Sequence, residues 1–459
     1  MNTAELVSAQ RAFFDTGATR PVSFRKEMLR RLRRAILERE AEILAAAKAD
    51  LGKSDFEAFA TEVYLVLGEI GLMLRKVGAW ARPQNRYPGL FNLPGKAVLH
   101  RDPHGVCLVM SPWNYPFQLS VMPLVGAIAA GNTAVLKPSA YSKATSALVA
   151  RMINETFPAE YLHAIEGGRD VNADLLSQRF DYIFFTGSVS VGKVVMEAAA
   201  KHLTPVTLEL GGKSPCIVDE TADVALAAKR AAWGKCLNSG QTCVAPDYFL
   251  VHERVKEAFV AELRAAIRSF FGDEPHRNEE YPRMINEHHF RRILGLIEGE
   301  RETPGRSVTG GREDAATLRI EPAIIENAGW DDPVMEEELF GPIIPVIPWT
   351  DEEDVTNRIL ARPRPLALYL FTRNKAQKRR VFSRVPFGGG CLNDTVMHVA
   401  THAVPFGGTG ASGMGGYHGK ASFDTFSRSK PVIERALFAD NPLRYAPFGK
   451  KYGLFRKFL

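Results

Sequence analysis

Three side chains that could act together on a reactive group come from separate parts of the chain. Cys243 lies in NSGQTCVAP, a stretch of small and polar residues, although a lone cysteine is normally a small apolar core residue. Glu209, in LELGG, directly follows an apolar run and precedes two glycines that let another group approach the backbone. Asn114, in SPWNYPF, supplies a neutral amide donor. The sequence therefore predicts that a thiol, a carboxylate and an amide converge on one cleft.

A further feature, FFTGSVSVG, could bind phosphate groups. Gly187 and Ser188 lie where a predicted strand turns into a helix, so that free N–H groups and the helix dipole can meet a pyrophosphate. The segment is not a GxGxxG motif, and glycine and serine begin many helices for conformational reasons alone. Lys137, at the end of TAVLKPS, could hydrogen-bond an adenosine ribose or could be an ordinary surface lysine. Taken singly, neither feature identifies a nucleotide site.

A regular alternation of strands and helices begins at Gly105 and positions these residues. Five runs predict buried strands: VCLVMSP, TAVLKPS, YLHAIEGG, DYIFFTGS and PVTLELGG. The runs FQLSVMPLVGAIAAG, KATSALVARMINETF and VSVGKVVMEAAAKH predict helices between them. Such an alternation indicates a doubly wound parallel α/β sheet with ligands at the strand C-termini. A second α/β unit is expected from near Glu209, and because no linker separates the two units, they should pack around one cleft.

The composition is that of an ordinary globular protein. The chain has 459 residues, 46% hydrophobic and 24% charged, enough for roughly two to four domain-sized units. Its formal charge of +6 comes from interspersed acids and bases, so no nucleic-acid partner is expected. The longest apolar stretch, 119–136, is interrupted by polar residues and a proline, which argues against a membrane span. Five scattered cysteines and the absence of signal-peptide features predict a cytoplasmic protein with reduced thiols.

Seven short motifs, taken together, resemble those of the aldehyde dehydrogenase superfamily. In chain order they are PWNYP, LKPS, FTGSxxxG, LELGGKSP, GQTC, EELFGP and PFGG. The resemblance extends from AFFDTGATRP to GKASFDTFS, and it is strongest to the class 3 and fatty-aldehyde branch, because of the short N-terminus, QTCVAPDY and SGMGGYHGKASFDTFS. It implies an aldehyde dehydrogenase-like α/β fold with a Rossmann-type cofactor domain, an α/β catalytic domain and a small β oligomerisation excursion.

The resemblance also implies domain boundaries. Residues 1–82 and 104–208 would form the NAD(P)-binding domain, and residues 209–418 the catalytic domain. Strands in 83–103 and 419–435, which include LPGKAVLHRDP and FDTFSRSKPVIE, would join partner subunits. A homodimer is favoured over a tetramer by the likeness to the class 3 branch.

The C-terminal segment 436–459 is basic and rich in aromatic residues. As a helix it would carry an apolar face and an opposite basic face. The apolar face would consist of Phe448, Tyr452, Phe455 and Leu459, and the basic face of Lys450 and Lys457. Because a helix this short is marginal alone, docking on the protein's own surface is one interpretation. Peripheral membrane contact is the other.

Matched residue by residue, the resemblance implies a covalent route from an aldehyde to its carboxylic acid. Cys243 would be the nucleophile that forms a thiohemiacetal, and loss of a hydride would leave a thioester. Asn114, with the backbone N–H of Cys243, would stabilise the oxyanion, at about 3 to 4 kcal/mol for one such donor. Glu209 would activate the water that hydrolyses the thioester.

The cofactor implied is NAD or NADP, and no metal is required because sulfur carries the acyl group and the cofactor carries the hydride. Glu338 and Phe340 of EELFGP would hold the nicotinamide ribose and ring. Lys137 and the turn at Gly187 and Ser188 would hold the adenosine and phosphates. The other cofactor-binding residues implied are Ser139, Ala140, Thr186, Gly192, Leu210 and Gly211.

One position departs from the family near the adenosine. The family commonly has KPSE, whereas this chain has KPSA, with Ala140 in place of the acid. An acid beside the ribose accepts hydrogen bonds from its hydroxyls and repels a 2′-phosphate. With Lys137 and Lys143 nearby, we expect the chain to accept both cofactors. The alternative is that Ala140 merely removes one ribose contact and leaves NAD preferred.

The sequence does not name the aldehyde. The resemblance favours medium- or long-chain aliphatic, or aromatic, aldehydes. Bulky apolar candidates for a substrate tunnel are Tyr115 and Phe406, together with Phe117, Trp233 and Met397, although aromatic residues at such positions are about as commonly ordinary core.

Three other functions stay open at this point. An acylating dehydrogenase would pass the thioester to coenzyme A, but family members of that kind usually lack the acid found at Glu209. A hydrolase with a Cys–His pair would leave the FTGS turn unused. A non-catalytic protein with this fold would have no need for Cys243, Glu209 and Asn114 together.

Overall fold

The computed structural model describes residues 2–449 and 451–456, which contain three main sheets surrounded by helices. The helices are α1 (Thr3–Asp15), α2 (Val22–Glu38), α3 (Glu40–Leu51), α4 (Asp55–Ala58), α5 (Tyr64–Trp80), α6 (Gln118–Ala130), α7 (Lys143–Thr156), α8 (Arg169–Ser177), α9 (Val189–Ala200), α10 (Val224–Cys236), α11 (Glu253–Phe271), α12 (Glu287–Glu302), α13 (Glu352–Leu360), α14 (Lys375–Arg384), α15 (Lys420–Thr425) and α16 (Lys451–Phe455). The strands are β1 (Gln84–Arg86), β2 (Gly95–Pro103), β3 (Val106–Met110), β4 (Thr133–Lys137), β5 (Leu162–Ala164), β6 (Tyr182–Thr186), β7 (Val206–Glu209), β8 (Pro215–Val218), β9 (Tyr248–His252), β10 (Ser307–Gly310), β11 (Glu313–Asp314), β12 (Arg319–Ile320), β13 (Ala323–Glu326), β14 (Ile343–Trp349), β15 (Ala367–Phe371), β16 (Gly389–Leu392), β17 (Gly413–Met414) and β18 (Ser427–Arg435).

The first sheet has the strand order β17-β7-β6-β3-β4-β5, and β3 to β7 are parallel. Strands β3, β4 and β6 are buried along their whole length, because helices cover both faces, and this explains their continuous apolar sequences. The chain runs from β3 outward to β5 and then returns to β6 on the other side of β3. The direction of winding therefore switches between β3 and β6, where doubly wound sheets bind ligands. The Rossmann-type prediction is confirmed.

The second sheet has the order β10-β13-β14-β9-β8-β15-β16 and is parallel except for β10. Its first strand, β8, begins six residues after Glu209, as the predicted second α/β unit requires. One continuous core joins the two units, since Val109 of β3 and Phe249 of β9 belong to the same buried cluster. The units therefore pack directly on each other.

The third sheet has the order β1-β2-β18, and β2 pairs with β18 over nine residues on each strand. The expected strand region 419–435 is only partly strand, because residues 420–425 form helix α15. Phe423 and Phe426 are buried, and Phe426 lies so close to Gly126 of α6 that a Cβ there would be 2.9 Å from its ring. Burial of Phe426 against α6 and of Phe423 against Trp80 of α5 thus overrides the strand-like sequence.

A two-residue strand was not expected from the sequence: Gly413 and Met414 form β17, which pairs antiparallel with β7 in the first sheet. Helix α8 has no counterpart in the sequence-based prediction. Among residues 2–449 and 451–456, no helix is long and apolar enough to cross a membrane.

In the described part of the C-terminal tail, a 3₁₀ turn at Pro442–Arg444 precedes the five-residue helix α16. Phe448 and Tyr452 expose 64% and 73% of their surface, and Leu437 and Phe438 are exposed as well. Lys450, Lys457 and Leu459 of the predicted amphipathic face, and the side chain of Phe455, lie outside the described residues. The described part of the tail therefore presents apolar side chains to solvent.

Candidate active site

A cavity of about 830 Å³ lies between the first two sheets and contains the three residues singled out for chemistry, Asn114, Glu209 and Cys243. Seven of the proposed cofactor residues also line it: Thr186, Gly187, Ser188, Leu210, Gly211, Glu338 and Phe340. The loop after β3 and the turn after β6 both open into it, so it sits at the point where the winding of the first sheet switches. The structure thus brings together residues from five of the seven motifs.

Cys243 follows a turn with unusual backbone geometry, Leu237–Gly240. Asn238 and Ser239 have φ angles of 50° and 53°, and Gly240 has 73°, which is strained for the two residues that carry a Cβ. The turn is anchored because the Asn238 N–H donates to Glu57 Oε1 at 2.8 Å and the Ser239 hydroxyl donates to the Tyr281 hydroxyl at 3.1 Å. Buried hydrogen bonds therefore fix the conformation of the backbone that presents the thiol.

The amide of Asn114 is held close to this turn. Its Nδ2 donates to the backbone carbonyl of Gln241 at 3.1 Å, and the backbone carbonyl of Asn114 accepts from Asn238 Nδ2 at 2.8 Å. The same carbonyl accepts from Lys53 Nζ at 3.2 Å. An amide nitrogen carries two hydrogens, so one remains for a ligand. The Asn114 loop and the Cys243 turn form one hydrogen-bonded unit.

Lys53 and Glu62 form a fully buried ion pair behind Asn114. Their side chains are 0% exposed and Nζ lies 2.7 Å from Oε1. The second oxygen of Glu62 accepts from the N–H groups of Phe117 and Gln118, at 3.0 and 2.9 Å, at the start of α6. The pair therefore satisfies two of the free donors at the start of that helix and supports the backbone of Asn114.

Cys243 is partly exposed at the floor of the cavity. Burial of the Cys243 side chain raises the pKa of its thiol, and the nearby carboxylates of Glu338 and Glu209 raise it further. The backbone N–H groups of Cys243 and Val244 act in the opposite direction. The group is therefore a neutral thiol at neutral pH, and the same two N–H groups lie where they can meet negative charge.

Glu209 ends β7 and is 2% exposed. Neither of its carboxylate oxygens has a hydrogen-bond partner among the residues that the structure describes. Burial raises the pKa of this carboxyl group well above its usual value. A buried carboxyl group without a partner is costly in a protein interior, so its retention indicates a functional role.

The cavity fits a dinucleotide at the turn after β6. Ser188 is the N-cap of α9 and leads into its first turn, and the hydroxyl of Thr186 is buried with no partner in the described part of the chain. A Cβ on Gly187 would lie 2.6 Å from the ring of Phe185, so glycine lets the turn pack against that ring. These free donors at a helix N-terminus suit a pyrophosphate.

Glu338 reaches the cavity across the two glycines of LELGG. A Cβ on Gly211 would lie 1.9 Å from its Oε2, and the N–H of Gly212 donates to its carboxylate. Its Oε1 has no partner among the described residues, and burial raises the pKa of the group to about 8. An acceptor with a free oxygen fits a ribose hydroxyl, and the glycines explain how the acid comes so close.

Lys137, Ser139, Ala140 and Gly192 do not line this cavity. Lys137 is 4% exposed at the end of β4, and burial lowers its pKa to about 8. Its Nζ donates to the Pro138 carbonyl at 2.6 Å, and an ammonium has two further donors. Ala140 is exposed, and Gly192 provides room for Leu210, since a Cβ there would lie 2.7 Å from that side chain. The structure gives Gly192 a packing role.

None of the five candidate tunnel residues lines the cavity. Tyr115 lies behind the Cys243 loop, with its hydroxyl 2.6 Å from Thr242 Oγ1 and its ring 3.9 Å from Lys53 Nζ. Phe406 stacks on His418 with 5.5 Å between ring centroids. Phe117 is fully buried in the core, whereas Trp233 and Met397 are partly exposed.

Other residues of the cavity were not predicted from sequence. Trp113 packs edge-on against Phe340, with 5.2 Å between ring centroids, and its other neighbour is the ring of His289 at 5.0 Å. Burial, with the charge of Arg292 nearby, lowers the pKa of His289 to about 4, so this imidazole is neutral. Trp113 lies inside the PWNYP motif and could have been found there, whereas no sequence pattern singles out His289.

The comparisons with known proteins agree with this geometry. Residues 2–432 match the model of the aldehyde dehydrogenase family. The 4,4'-diaponeurosporen-aldehyde dehydrogenase of Staphylococcus aureus (strain NCTC 8325 / PS 47) is 43% identical over 448 residues, covering 98% of this chain and 97% of that protein. A dog (Canis lupus familiaris) enzyme named "Aldehyde dehydrogenase, dimeric NADP-preferring" is 43% identical, with 97% of each chain covered.

A solved structure described as the substrate-bound state of Staphylococcus aureus AldH superposes on the whole chain. Its TM-score is 0.97 at 42% identity, with 100% of both chains covered. Family, sequence and structural matches all extend over nearly the full length. The chain therefore belongs to the aldehyde dehydrogenase family, in its class 3 branch, whose reaction is the oxidation of an aldehyde to the carboxylic acid with NAD or NADP.

Proposed function

We propose that Cys243, Asn114 and Glu209 are the nucleophile, the oxyanion donor and the general base of this oxidation. The supporting observation is that all three line one cavity together with the Thr186–Ser188 turn and Glu338. The presence of Glu209 favours hydrolysis of the acyl-enzyme over transfer to coenzyme A. A Cys–His hydrolase is not favoured, because the cavity also contains a turn suited to a dinucleotide.

In the first step the Cys243 thiol gives its proton to solvent, and the thiolate sulfur attacks the carbonyl carbon, which gives a thiohemiacetal oxyanion. Asn114 is suited to stabilise it, because one amide hydrogen is held by Gln241 and the other is free to donate. The backbone N–H groups beside the sulfur add to this effect. Donors held in place before the reaction need no reorganisation when the charge develops.

The nicotinamide cofactor, when bound, supplies the acceptor for the hydride that leaves the thiohemiacetal. Glu338 would hold the nicotinamide ribose through its unpartnered oxygen, and Phe340 would contact the ring. Ser188 and the Gly187 backbone would contact the phosphates, and Lys137 the adenosine ribose. NAD and NADP both remain acceptable, because Ala140 offers no carboxylate to repel a 2′-phosphate.

The last step is hydrolysis of the thioester. Glu209, with both oxygens unpartnered among the described residues, is suited to take a proton from a water molecule that attacks the acyl carbon. The carbon–sulfur bond then breaks, the carboxylic acid leaves, and the Cys243 thiol is restored. Because burial raises the pKa of Glu209, its ionised form is a stronger base than an exposed glutamate.

The two roles can be separated by substitution. Cys243→Ala should abolish NADH formation, whereas Glu209→Gln should slow deacylation and allow an acyl-enzyme to accumulate. Rapid quenching followed by mass spectrometry of Glu209→Gln should detect the acyl mass on Cys243. Turnover of Glu209→Gln at the wild-type rate would mean that another group is the base.

Medium- or long-chain aliphatic and aromatic aldehydes are the proposed substrates. Trp113, Phe340 and Leu119 give the cavity an apolar wall that suits such chains. A Staphylococcus aureus relative is named for 4,4'-diaponeurosporen-aldehyde, a specific aldehyde. A panel of aldehydes of increasing chain length, compared by kcat/KM, tests this proposal.

A cytoplasmic homodimer is the proposed assembly, with peripheral membrane contact through the tail. Strand β18 lies at the edge of its sheet, and Val432 and Ile433 on it are exposed. The related dog enzyme is named dimeric. Exposed Phe448 and Tyr452 support contact between the tail and a bilayer surface. Co-sedimentation with anionic vesicles should be weaker for a chain that ends at Pro442, and equal binding would exclude the tail as an anchor.

A further inference from the structure

An ion pair that is separate from the proposed catalytic groups holds the backbone of the loop that carries Glu338. Lys213, from the LELGGKSP motif, donates from Nζ to Asp247 Oδ2 at 2.5 Å, to the Val334 carbonyl at 2.7 Å and to the Glu337 carbonyl at 2.9 Å. An ammonium group has three donors. All three are therefore used, and two of them hold backbone carbonyls of the segment 334–337 that leads into Glu338.

Asp247, from the QTCVAPDY motif, fixes the other side of Glu338. Its Oδ1 accepts from the N–H of Leu339 at 3.0 Å, while Oδ2 is bound by Lys213. The backbone N–H of Asp247 donates to the Ser214 carbonyl at 2.8 Å, which holds the segments of the two partners together. The peptide groups on both sides of Glu338 are thus bonded to one carboxylate–ammonium pair.

The pair is shielded from solvent, with side-chain exposures of 11% for Lys213 and 4% for Asp247. A shielded pair with several hydrogen bonds holds its partners more rigidly than a surface ion pair does. The carboxylate of Glu338 is not used in these bonds, and its Oε1 has no partner among the described residues. The arrangement therefore fixes the backbone of Glu338 while leaving its side chain available to a ligand.

We propose that Lys213 and Asp247 are positioning residues that hold Glu338 in place for the nicotinamide ribose. This inference rests on the role of Glu338 given under the proposed function. It connects LELGGKSP, QTCVAPDY and EELFGP, since one member of each motif takes part. It also assigns a positioning role to Lys213 and Asp247, which take no part in the proposed chemistry.

The test compares two ligands by calorimetry on the full chain. NAD⁺ contains the nicotinamide ribose, whereas ADP has the adenosine and the two phosphates but lacks it. Asp247→Asn keeps the acceptor for Leu339 and removes the charge that pairs with Lys213. We expect the Kd of NAD⁺ to rise roughly tenfold, within the range for coupled neighbouring residues, while the Kd of ADP changes by less than about twofold.

Two conditions make the comparison specific. Titration at about pH 9, above the pKa of Glu338 of about 8, prevents Asp247→Asn from acting through protonation of Glu338. Asp181→Asn is the matched control, because Asp181 also combines an ion pair, to Arg11 at 2.8 Å, with a backbone N–H bond, to Val106 at 2.8 Å. Asp181 precedes β6 at the end away from the cavity, so neither Kd should change.

Glu338→Gln separates failure of this inference from failure of the proposed function. If Glu338→Gln weakens NAD⁺ but Asp247→Asn does not, the inference is wrong and the role of Glu338 stands. If Glu338→Gln leaves NAD⁺ binding unchanged, both are wrong. Equal weakening of NAD⁺ and ADP by Asp247→Asn would indicate a general structural role and overturn the inference. Should Asp247→Asn not fold, Asp247→Glu, which keeps the charge but displaces it, is measured in the same way.

Discussion

Glu209 and Cys243 share a cavity in which burial raises the pKa of both groups. Each must lose its proton to act, the thiol before attack and the carboxyl group before it can accept a proton from water. A raised pKa places the active, ionised form at higher pH, so acylation and deacylation should both accelerate between about pH 6 and pH 9. Measuring the NADH burst and the later steady rate across this range separates the two steps.

The Glu209→Gln variant is the control for this pH dependence. Its burst should still grow faster with rising pH, because Cys243 is intact. Its steady rate should be low and should lose the pH dependence assigned to Glu209. Deacylation in this variant with the wild-type pH profile would contradict the role proposed for the acid.

Cofactor choice is a second prediction at the residue scale, and it concerns Ala140. Asp50 already accepts from the N–H groups of Ala144 and Thr145, at 3.0 and 2.7 Å, so the start of α7 is not free to bind a 2′-phosphate. Lys137 and Lys143 remain as the nearby cations. Ala140→Glu should lower the NADP-to-NAD ratio of kcat/KM roughly tenfold, about 1.4 kcal/mol.

Ala376→Glu, on exposed α14, introduces the same charge far from the nucleotide turn and should leave the ratio unchanged. If Ala140→Glu also leaves it unchanged, residue 140 does not face the ribose, and acceptance of both cofactors would lose its physical basis.

Helix α6 depends on a buried charge that lies far from it in sequence. Glu62 caps its first donors and neutralises Lys53, and both side chains are fully buried. Glu62→Gln leaves an unpaired ammonium in the interior, which should cost about 3 to 5 kcal/mol of the free energy of unfolding. The measurement is the midpoint of urea unfolding, followed by circular dichroism and by tryptophan fluorescence.

Glu42→Gln is the matched control, because Glu42 pairs with Arg151 while both side chains are about half exposed. Loss of this surface pair should cost no more than about 1 kcal/mol. Equal midpoints for the two variants would mean that the buried pair contributes little to stability.

Periodicity and turn signals were sufficient to predict the five parallel strands of the first sheet and the residues that follow them. They failed for α15 because FDTFSRSKPVIE resembles a strand, whereas its first three residues belong to a helix that buries Phe423 against Trp80 and leads into Phe426, which is buried against α6. They also missed β17, because two residues are too few to show a period and because its partner, β7, lies far away in sequence. Lys53 and Glu62 were missed for a different reason, because lysine and glutamate usually face solvent, whereas here they are buried as a pair.

The whole molecule is predicted to form a homodimer. Strand β18 lies at the edge of the third sheet, and exposed edges tend to pair with another chain. Sedimentation velocity at micromolar concentration should give the mass of two chains. Val432→Lys combined with Ile433→Lys on β18 should shift the equilibrium to monomer, whereas Lys substitutions of exposed Phe56 and Tyr64, outside this sheet, should not. A wild-type monomer would count against the proposal.

The pairing of β17 with β7 has a consequence for the growing chain on the ribosome. Glu209 pairs with Gly413, and β2 near residue 100 pairs with β18 near residue 430. At roughly 5 to 20 residues per second, the edge of β7 stays uncovered for roughly 10 to 40 s and the edge of β2 for longer. A nascent chain can thus contain both Cys243 and Glu209 while the edge of β7 is still unpaired, and an unpaired edge can bond to the wrong strand. The nascent enzyme should need protection from aggregation until its last segment emerges, and it should become active only then.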